Sequence, residues 1–506
     1  MEFRSGCRLG FLDSDHISTL TDDLLLLILA RLPCIKVVAH TSILSRRWCG
    51  LWAHLRQIIF REVVFDSIEP ALRQISCPPA VSLLEIHAPE QDMASTAQVN
   101  SLLSVAAELE PKEFVASFPS SFGLLGRSII IDLPCFHRTT CIMLDHVYIR
   151  SVPVGVEFPM LEALSLLHCN GNLDALLSCC PRLCTLLLSG ILFETCDLRV
   201  NSPSLQELVV NSFSTEHVNI VAPMLKKLEI LFTVMLEVNI SVLAPIVENV
   251  WWYCCYTEES IVFGLWYLEL LGLQVEDRQG QLPLLHIRAS VDSSLFPYEP
   301  NFAQEIEKHM VVDFSLLELD LKTDGHVFGA LVFYLLQINQ ISSSLQKLKI
   351  LLLRSVVKEE CPTDCPCEST NWRSQAISLT ALEEVQINGF EGVDHEFDLL
   401  KQLLVFAPKL KKIIVKLTQE VSSSNTRRTK IYNVFETYGS AECFVYLSSV
   451  LRPRGASSYR KSACGTLGQF TPLSDVSAQR PYERKDSEYL EYMTRKSASR
   501  RTTQPP

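Results

Sequence analysis

The sequence predicts an α/β protein in which a short helical module precedes a long body of strand-forming repeats. The first observation behind this prediction is a leucine-rich motif that returns five times at nearly equal intervals between residues 159 and 252. The second is a group of short apolar segments before residue 60, which are bounded by capping and helix-breaking residues. Hydrophobic residues make up 48% of the chain, which is ample material for buried cores.

The repeated motif is Pro-x-Leu-x-x-Leu-x-Leu or a close variant of it. It begins at Pro159, Pro181, Pro203, Pro223 and Pro245, so successive copies are 22, 22, 20 and 22 residues apart. A period of 20–29 residues with this core is typical of leucine-rich repeats, in which each unit adds one strand to a shared sheet. An ordinary α/β sheet with leucine-rich strands would not produce such regular spacings. The motif therefore predicts a leucine-rich-repeat solenoid over residues 61–355.

Residues that alternate with the leucines are predicted to face solvent and to form a binding surface. The candidate contacts are Glu162, Ser165, Glu207, Lys227, Glu229 and Glu248. Most of them are expected to be ordinary solvated surface. The run Trp251-Trp252-Tyr253 is aromatic enough for a binding hot spot, although packing in the core is the favoured interpretation.

The first predicted helix lies near the N-terminus. Thr21 is a candidate N-cap, and Asp22 and Asp23 place negative charge in the first turn, where the helix dipole favours it. Residues 24–31 are apolar nearly all round, so the helix needs cover on more than one side. Pro33 ends it.

Two further helices are predicted, one over residues 35–44 and one that begins near Ser45. The last places Trp48 and Trp52 four residues apart on one face. From the residues alone, these helices form either a small cap on the larger domain or a separate module.

The segment from residue 17 to residue 52 resembles the F-box of plant F-box/leucine-rich-repeat proteins. It contains, in order, Ile-Ser-x-Leu, Asp-Asp-Leu-Leu, Ile-Leu-x-x-Leu-Pro, Thr-Ser-Ile-Leu-Ser-Arg-Arg-Trp and Leu-Trp. The resemblance implies a three-helix module that docks on a Skp-type adaptor, which in turn binds a cullin. It also implies a docking set of Leu20, Thr21, Leu24, Ile28, Leu29, Leu32, Leu44 and Trp48.

Two positions depart from the family pattern. Thr21 stands where the family usually has proline, and His40 stands where it usually has arginine. Because threonine also caps helices, weakened docking is the largest expected consequence.

The region after residue 360 is predicted to hold one more strand–helix–strand unit. The strands are expected at 382–387 and 410–417, with an amphipathic helix at 395–406 between them. This region is similar to the FBD region of many plant F-box/leucine-rich-repeat proteins, particularly through Asn388-Gly389-Phe390 and residues 404–410. The resemblance does not imply what the region does.

Charge and cysteine content narrow the class of function. A formal net charge of −12 is a poor match to a phosphate backbone, so no nucleic-acid partner is expected. The longest apolar runs are shorter than the roughly 20 residues that span a bilayer, and no signal peptide is evident, so no membrane partner is expected either. Without a secretory signal, the 18 cysteines are expected to be reduced thiols in a protein of the cytoplasm, the nucleus or both.

The sequence contains only weak signals for a metal site or a catalytic site. Cys361, Cys365 and Cys367 lie close in sequence, but this spacing lacks a second ligand pair, and Pro362 and Pro366 suit a loop. The sequence has no glycine-rich phosphate loop, HExxH helix or G-x-S-x-G elbow. It therefore predicts no metal site, no cofactor and no catalytic residue.

These interpretations divide the chain into five predicted parts. They are a flexible tail at 1–14, an F-box at 15–60, a leucine-rich-repeat solenoid at 61–355, an FBD-like α/β region at 356–450 and a disordered tail at 451–506. The expected function is that of a non-catalytic substrate receptor in a Skp–cullin–F-box (SCF) ubiquitin ligase, with an unknown protein target held by the repeats. The alternative is an adaptor-bound scaffold or sequestering protein without ligase activity.

Overall fold

The computed structural model describes most of the chain between residues 19 and 447. The described residues are 19–75, 81–89, 94–118, 129–151, 155, 157–190, 197–212, 216–234, 238–256, 261–276, 282–291, 302–354, 365, 367, 372–418, 425–438 and 441–447. Both predicted tails, 1–14 and 451–506, lie outside this set.

The described helices occupy the two ends of the chain more densely than its middle. They are α1 (Asp22–Leu29), α2 (Ile35–His40), α3 (Phe65–Leu72), α4 (Thr96–Glu108), α5 (Leu173–Ser178), α6 (Phe302–His309), α7 (Gly329–Leu336), α8 (Asn339–Ser344), α9 (Asp394–Phe406) and α10 (Asn425–Tyr438). Short 3₁₀ turns lie at Thr41–Ile43, Leu51–His54 and Trp372–Ser374.

The described strands run throughout the repeat body. They are β1 (Gln57–Phe60), β2 (Leu83–His87), β3 (Glu113–Ser117), β4 (Ile129–Asp132), β5 (Cys141–Asp145), β6 (Val147–Ser151), β7 (Ala163–Leu167), β8 (Asn170–Gly171), β9 (Thr185–Ser189), β10 (Asp197–Asn201), β11 (Glu207–Ser212), β12 (His217–Val221), β13 (Lys227–Val234), β14 (Asn239–Leu243), β15 (Asn249–Tyr256), β16 (Val262–Phe263), β17 (Trp266–Val275), β18 (Leu284–Val291), β19 (Leu316–Lys322), β20 (Lys347–Leu353), β21 (Glu384–Phe390), β22 (Lys412–Leu417) and β23 (Glu442–Leu447).

Most of these strands belong to one 17-stranded sheet that follows the order of the chain. The odd-numbered strands from β3 to β15 pair with one another in sequence, every pair is parallel, and β1 and β2 precede them. Strand β17 then runs antiparallel to both β15 and β18. From β18 to β23 every pair is parallel again. This mixed α/β architecture is consistent with leucine-rich repeats.

The five motif copies coincide with five neighbouring strands. In the sheet register Ala163 lies opposite Thr185, Thr185 opposite Glu207, Glu207 opposite Lys227, and Lys227 opposite Asn249. These offsets of 22, 22, 20 and 22 residues equal the spacing of the prolines, so the predicted strand positions are confirmed. The alternating pattern buries one face: in β13 Leu228, Ile230 and Phe232 are fully buried.

The return segments lie behind the sheet and close the core. Between residues 197 and 243 they contain the three parallel strands β10, β12 and β14, which form a small sheet of their own. A second small sheet joins β4, β6 and β8. Nearer the C-terminus the returns are helical, and the predicted strand–helix–strand unit is confirmed as β21, α9 and β22.

The N-terminal module departs from prediction in its third helix. Helices α1 and α2 form at the predicted places, but residues 45–50 are turns followed by the 3₁₀ turn at Leu51–His54. Gly50 adopts a left-handed φ of 86°, which a right-handed helix cannot contain. Trp48 is consequently buried by the turn, while Trp52 is half-buried.

Candidate protein-interaction surfaces

Several large apolar side chains of the N-terminal module are exposed. We call this group the N-terminal apolar patch, and it consists of Leu24, Leu27, Ile28, Val37, Ile43 and Leu44. Leu27, Leu44 and Ile43 are 63%, 64% and 87% exposed, which is far beyond what a core position tolerates. Concentrated exposed apolar surface of this kind marks an interaction site.

The patch arises because α1 is apolar on all sides and the chain covers only one of them. Leu25 and Leu29, four residues apart, are buried in the main core. Leu24, Leu27 and Ile28 lie at the i, i+3 and i+4 positions of the opposite face and stay exposed. The remaining patch residues come from α2 and the 3₁₀ turn that follows it.

The structure places the eight predicted docking residues in four environments. Leu24, Ile28 and Leu44 lie in the patch, whereas Leu29 and Trp48 are buried in the chain's own core. Leu20 and Leu32 are half-buried against that core, and Thr21 is exposed at the N-cap of α1 without a capping side-chain hydrogen bond. Adaptor binding by this set remains a prediction.

Sequence reasoning missed Leu27, Val37 and Ile43. The signal for Leu27 was available, because it lies three residues after Leu24 on the same helical face. The other two depend on how α2 packs, which the sequence does not specify.

A polar clamp holds the module's turn against the start of α1. Arg47 donates from its guanidinium to Asp22 Oδ1 at 2.8 Å and also to the carbonyl oxygen of Leu20. This contact explains why an arginine immediately before Trp48 suits the motif: it fixes the turn that buries the indole.

The second surface is the face of the large sheet whose side chains alternate with the buried ones, which we call the open face. Its central row runs across neighbouring strands by register, through Val115, Met143, Ser165, Leu187, Val209, Glu229 and Trp251. The first five positions are apolar or small, so a mainly apolar stripe crosses β3 to β11. Ser165 and Leu187 are nearly covered by their neighbours, at 5% and 4% exposure.

Three of the predicted contact residues meet at the end of this stripe. The Lys227 ammonium donates to Glu207 Oε1 at 2.8 Å and lies 2.7 Å from Glu229 Oε1. Partial burial lowers the pKa of Lys227, but the hydrogen bonds that its ammonium donates to the two carboxylates, together with their charge, outweigh burial and leave that pKa raised. The other three predicted contacts do not join the cluster: Ser165 is buried, while Glu162 and Glu248 are exposed just before their strands.

The aromatic run splits between the two faces of β15. Trp252 is fully buried and donates its indole N–H to His309 Nδ1 at 2.9 Å, as core packing predicts. Trp251 and Tyr253 lie half-buried on the open face with ring centroids 4.5 Å apart. Gly272 of β17 makes room for the phenol, because a Cβ there would stand 2.5 Å from the Tyr253 ring.

Ion pairs between neighbouring strands dominate the open face after β17. Lys349 pairs with Glu318 at 2.5 Å, and Lys347 pairs with Glu384 at 3.2 Å. Asp320 contacts His286 at 3.0 Å. Burial raises the pKa of Asp320, but the hydrogen bonds and charges of His286 and Arg288 outweigh burial. The pKa of Asp320 is therefore lowered.

Two groups of potential metal ligands occur among the described residues. His326, Cys365 and Cys367 are buried, with their ligand atoms within 4.8 Å of one another. Asp145, His146 and His168 are half-buried and equally close. Of these residues, the sequence had suggested only the cysteines as possible metal ligands. Cys361, the remaining cysteine of that run, lies outside the described residues.

No helix among the described residues combines the length and the apolarity that crossing a membrane requires.

Comparison with known proteins locates the repeats independently. A family model described as the leucine-rich repeats of the FBD-associated F-box protein At5g56370 matches residues 128–245. The chain is 32% identical over 216 residues to the F-box/FBD/LRR-repeat protein At3g51530 of Arabidopsis thaliana, covering 41% of this chain and 47% of that protein. It is 27% identical over 212 residues to the putative FBD-associated F-box protein At5g56560 of the same plant, covering 39% and 49%.

Strand order, register and the family model are together consistent with leucine-rich repeats in a chain of mixed α/β class. The named relatives confirm the resemblance to the plant F-box/leucine-rich-repeat family of the FBD type. The chain spans about half the length of the curated relatives it matches.

Proposed function

We propose that this protein is the substrate-recognition subunit of an SCF E3 ubiquitin ligase. Residues 15–60 act as the F-box and bind a Skp-type adaptor, which recruits a cullin, and the repeats form a solenoid that binds a protein target. The observation that carries the proposal is the N-terminal apolar patch, because it lies on the segment whose motifs resemble an F-box. The names of the relatives agree with it.

The patch has the properties that adaptor docking requires. Its six side chains are apolar, belong to α1, α2 and the turn that follows, and are left exposed by the described chain. Fully burying one leucine or isoleucine side chain contributes about 1.5–3 kcal/mol, so a few of them suffice to anchor a partner. Leu24, Leu27 and Ile28 form the centre of the proposed contact.

The repeat body supplies the second binding surface. Trp251 and Tyr253 lie half-buried on the open face beyond the apolar stripe and the Lys227 cluster, and aromatic side chains are enriched among residues that dominate binding energy. The receptor then acts by proximity: it holds the target near the ubiquitin-loaded enzyme and raises the effective concentration. No side chain of this chain takes part in the transfer.

The C-terminal region completes this arrangement. Residues 356–450 form the proposed FBD-like region, and its strands β21 to β23 extend the same sheet instead of starting a new one. The proposed site of action is the cytoplasm, the nucleus or both.

Co-purification with a plant Skp-type adaptor tests the proposal. The wild-type chain should form a stoichiometric complex, and the double variant Leu24→Asp/Ile28→Asp should lose it while keeping its circular dichroism spectrum. Leu243→Asp is the matched control, since Leu243 is 58% exposed on β14, outside the module. That control should still bind.

Two results would count against the proposal. Folded wild-type protein that binds no adaptor would remove the ligase connection. An adaptor complex that never recruits a cullin would replace the ligase subunit with a scaffold or sequestering protein.

A further inference from the structure

We propose that His326, Cys365 and Cys367 form a buried site for a soft transition-metal ion, with zinc as the first candidate. The site is independent of the adaptor and target surfaces. It would tie the long connection between β20 and β21 to the turn that follows β19.

The three ligand atoms already stand at coordination spacing. His326 Nδ1 lies 3.2 Å from Cys365 Sγ, and all three ligand atoms lie within 4.8 Å of one another. On a tetrahedral zinc ion, with Zn–S of about 2.3 Å and Zn–N of about 2.0 Å, neighbouring ligand atoms stand about 3.5–3.8 Å apart. Small shifts of these side chains would therefore bring the three ligand atoms to the distances that a bound metal ion requires.

The surroundings of the group are apolar and closed. His326, Cys365 and Cys367 are only 5%, 7% and 3% exposed. Both cysteines belong to a small hydrophobic cluster with Leu265 and Val327 that is separate from the main core. An apolar shell of this kind limits solvent access to a metal site, and a tetrahedral ion held by three protein ligands takes a fourth donor such as one water molecule.

Ligand chemistry selects the metal. Two sulfurs and one imidazole nitrogen favour zinc over magnesium or calcium, which take oxygen ligands. When Zn²⁺ binds, the two thiols lose their protons to solvent, and the dication balances the two thiolates that burial alone would destabilise. The imidazole binds through Nδ1 in its neutral form.

The position of the ligands indicates a structural role. His326 follows a turn in which Asp324 and Gly325 both have positive φ, so the imidazole is held on a tight loop between β19 and α7. The connection that carries the cysteines is anchored again by Trp372, whose ring packs so closely against Gly329 that a Cβ there would collide with it. A metal at His326 would add a second anchor to the same helix end.

Metal analysis of the full-length protein tests the site. Wild-type protein purified under reducing conditions without chelator should contain about one zinc ion per chain by mass spectrometry. His326→Ala and the double variant Cys365→Ser/Cys367→Ser should fall to the level of the buffer blank. His168→Ala, which alters the half-buried Asp145, His146 and His168 cluster, should keep the metal.

Cobalt substitution separates loss of the site from loss of folding. Co²⁺-loaded wild type should show thiolate-to-cobalt absorption, and His326→Cys should retain the metal with a stronger thiolate band, since it exchanges a nitrogen ligand for sulfur. Folded wild type that takes up neither Zn²⁺ nor Co²⁺ would overturn the proposal. So would metal that persists in the Cys365→Ser/Cys367→Ser variant, or a wild-type mass that shows these two thiols oxidised to a disulfide.

Discussion

The large sheet contains two parallel runs, β5 to β15 and β18 to β23, that differ in repeat length. From β5 to β15, residues opposite each other in register are 22, 22, 22, 20 and 22 positions apart. From β18 to β23 the offsets are 32, 31, 37, 28 and 30. The short offsets return through single strands such as β10, β12 and β14, whereas the long ones hold helices such as α7, α9 and α10. The longer offsets therefore leave room for longer helices between successive strands.

The open faces of the two runs differ as well. The first run carries the apolar stripe, one charged cluster around Lys227 and the aromatic pair Trp251 and Tyr253. Ion pairs such as Glu318 with Lys349 dominate the second run. Apolar and aromatic side chains gain from being covered by a partner, while satisfied ion pairs do not. The first run is therefore the better candidate for target binding, and the second is better suited to closing the body.

The largest expected effect concerns a buried ion pair in the second run. Glu396 of α9 is 1% exposed; it pairs with Arg354 and accepts hydrogen bonds from the backbone N–H groups of Glu391 at 2.8 Å and Gly392 at 2.6 Å. Removing the cation leaves a buried carboxylate unpaired, so Arg354→Met should cost about 3–5 kcal/mol of unfolding free energy. Urea titration measures it.

A matched exposed pair in the same run provides the control. Lys411 pairs with Glu383 at 2.7 Å, but their side chains are 69% and 46% exposed. Lys411→Met should therefore cost less than about 1 kcal/mol. Equal losses in the two variants would show that burial does not distinguish these pairs.

The junction between the runs depends on one close contact. Gly272→Ala on β17 places a methyl group against the Tyr253 ring and should destabilise the protein by about 1–3 kcal/mol through overpacking. Thermal or urea unfolding detects this change. Adding Tyr253→Ala should recover most of the loss, and a double variant as unstable as the sum of the single ones would rule out the ring as the cause.

A buried network that crosses the junction should make stability depend on pH. Trp252 and Tyr256 of β15 contact His309 of α6, and Tyr256 donates to Glu305 Oε1 at 2.8 Å. Burial lowers the pKa of His309, although Glu305 partly opposes the shift. The unfolded chain therefore binds the proton first, and stability should fall as the pH drops below about 6.5, by at most about 1.4 kcal/mol per pH unit from this residue.

The variant His309→Gln isolates this contribution. At neutral pH the variant should have a lower unfolding free energy than the wild type. Its unfolding free energy should also change less with pH between 6.5 and the folded-state pKa of His309. Glu305 also has a lowered pKa, since its hydrogen bond and charge interaction with His309 outweigh the effect of burial. The contribution of Glu305 to stability is lost at lower pH, as its carboxylate becomes protonated. An unchanged slope above pH 5 in the variant would place the titrating group elsewhere.

The smallest effect concerns the charges on the two open faces. Lys227→Met in the first run and Lys349→Met in the second should each change stability by at most about 1 kcal/mol, because both ammonium groups are about one-third exposed. Measuring unfolding at low and high salt checks this, since the wild-type contribution should shrink as salt screens the pairs. A loss of several kcal/mol from either variant would show that these partly exposed ion pairs contribute as much as the buried pair of Arg354 and Glu396.

Prediction from sequence succeeded wherever a local pattern repeats. The Pro-x-Leu motif located β7 to β15, and the amphipathic pattern located α9 between two strands. It failed where a long-range contact or one backbone angle decides the outcome. The left-handed Gly50 replaced the third helix by a turn, and β17 reversed direction in a segment where the motif stops.

The candidate sites show the same division between local pattern and packing. The residue types of α1 show that the helix is apolar. Whether Leu24 or Leu25 faces solvent depends on which side of the helix the rest of the chain covers. Trp251 and Trp252 are adjacent and chemically identical, and only the direction of β15 sends one to the open face and the other to His309.

The sequence by itself determined the repeat, its period, the apolar helices and the resemblance to plant F-box proteins, because these are properties of neighbours along the chain. The tertiary structure decided which apolar side chains remain exposed, how two unequal runs join at an antiparallel strand, and that His326 meets Cys365 across 39 positions. Such outcomes depend on the order in which distant strands pair and on the space between them. Burial and coordination are set by three-dimensional packing, and a one-dimensional pattern does not contain it.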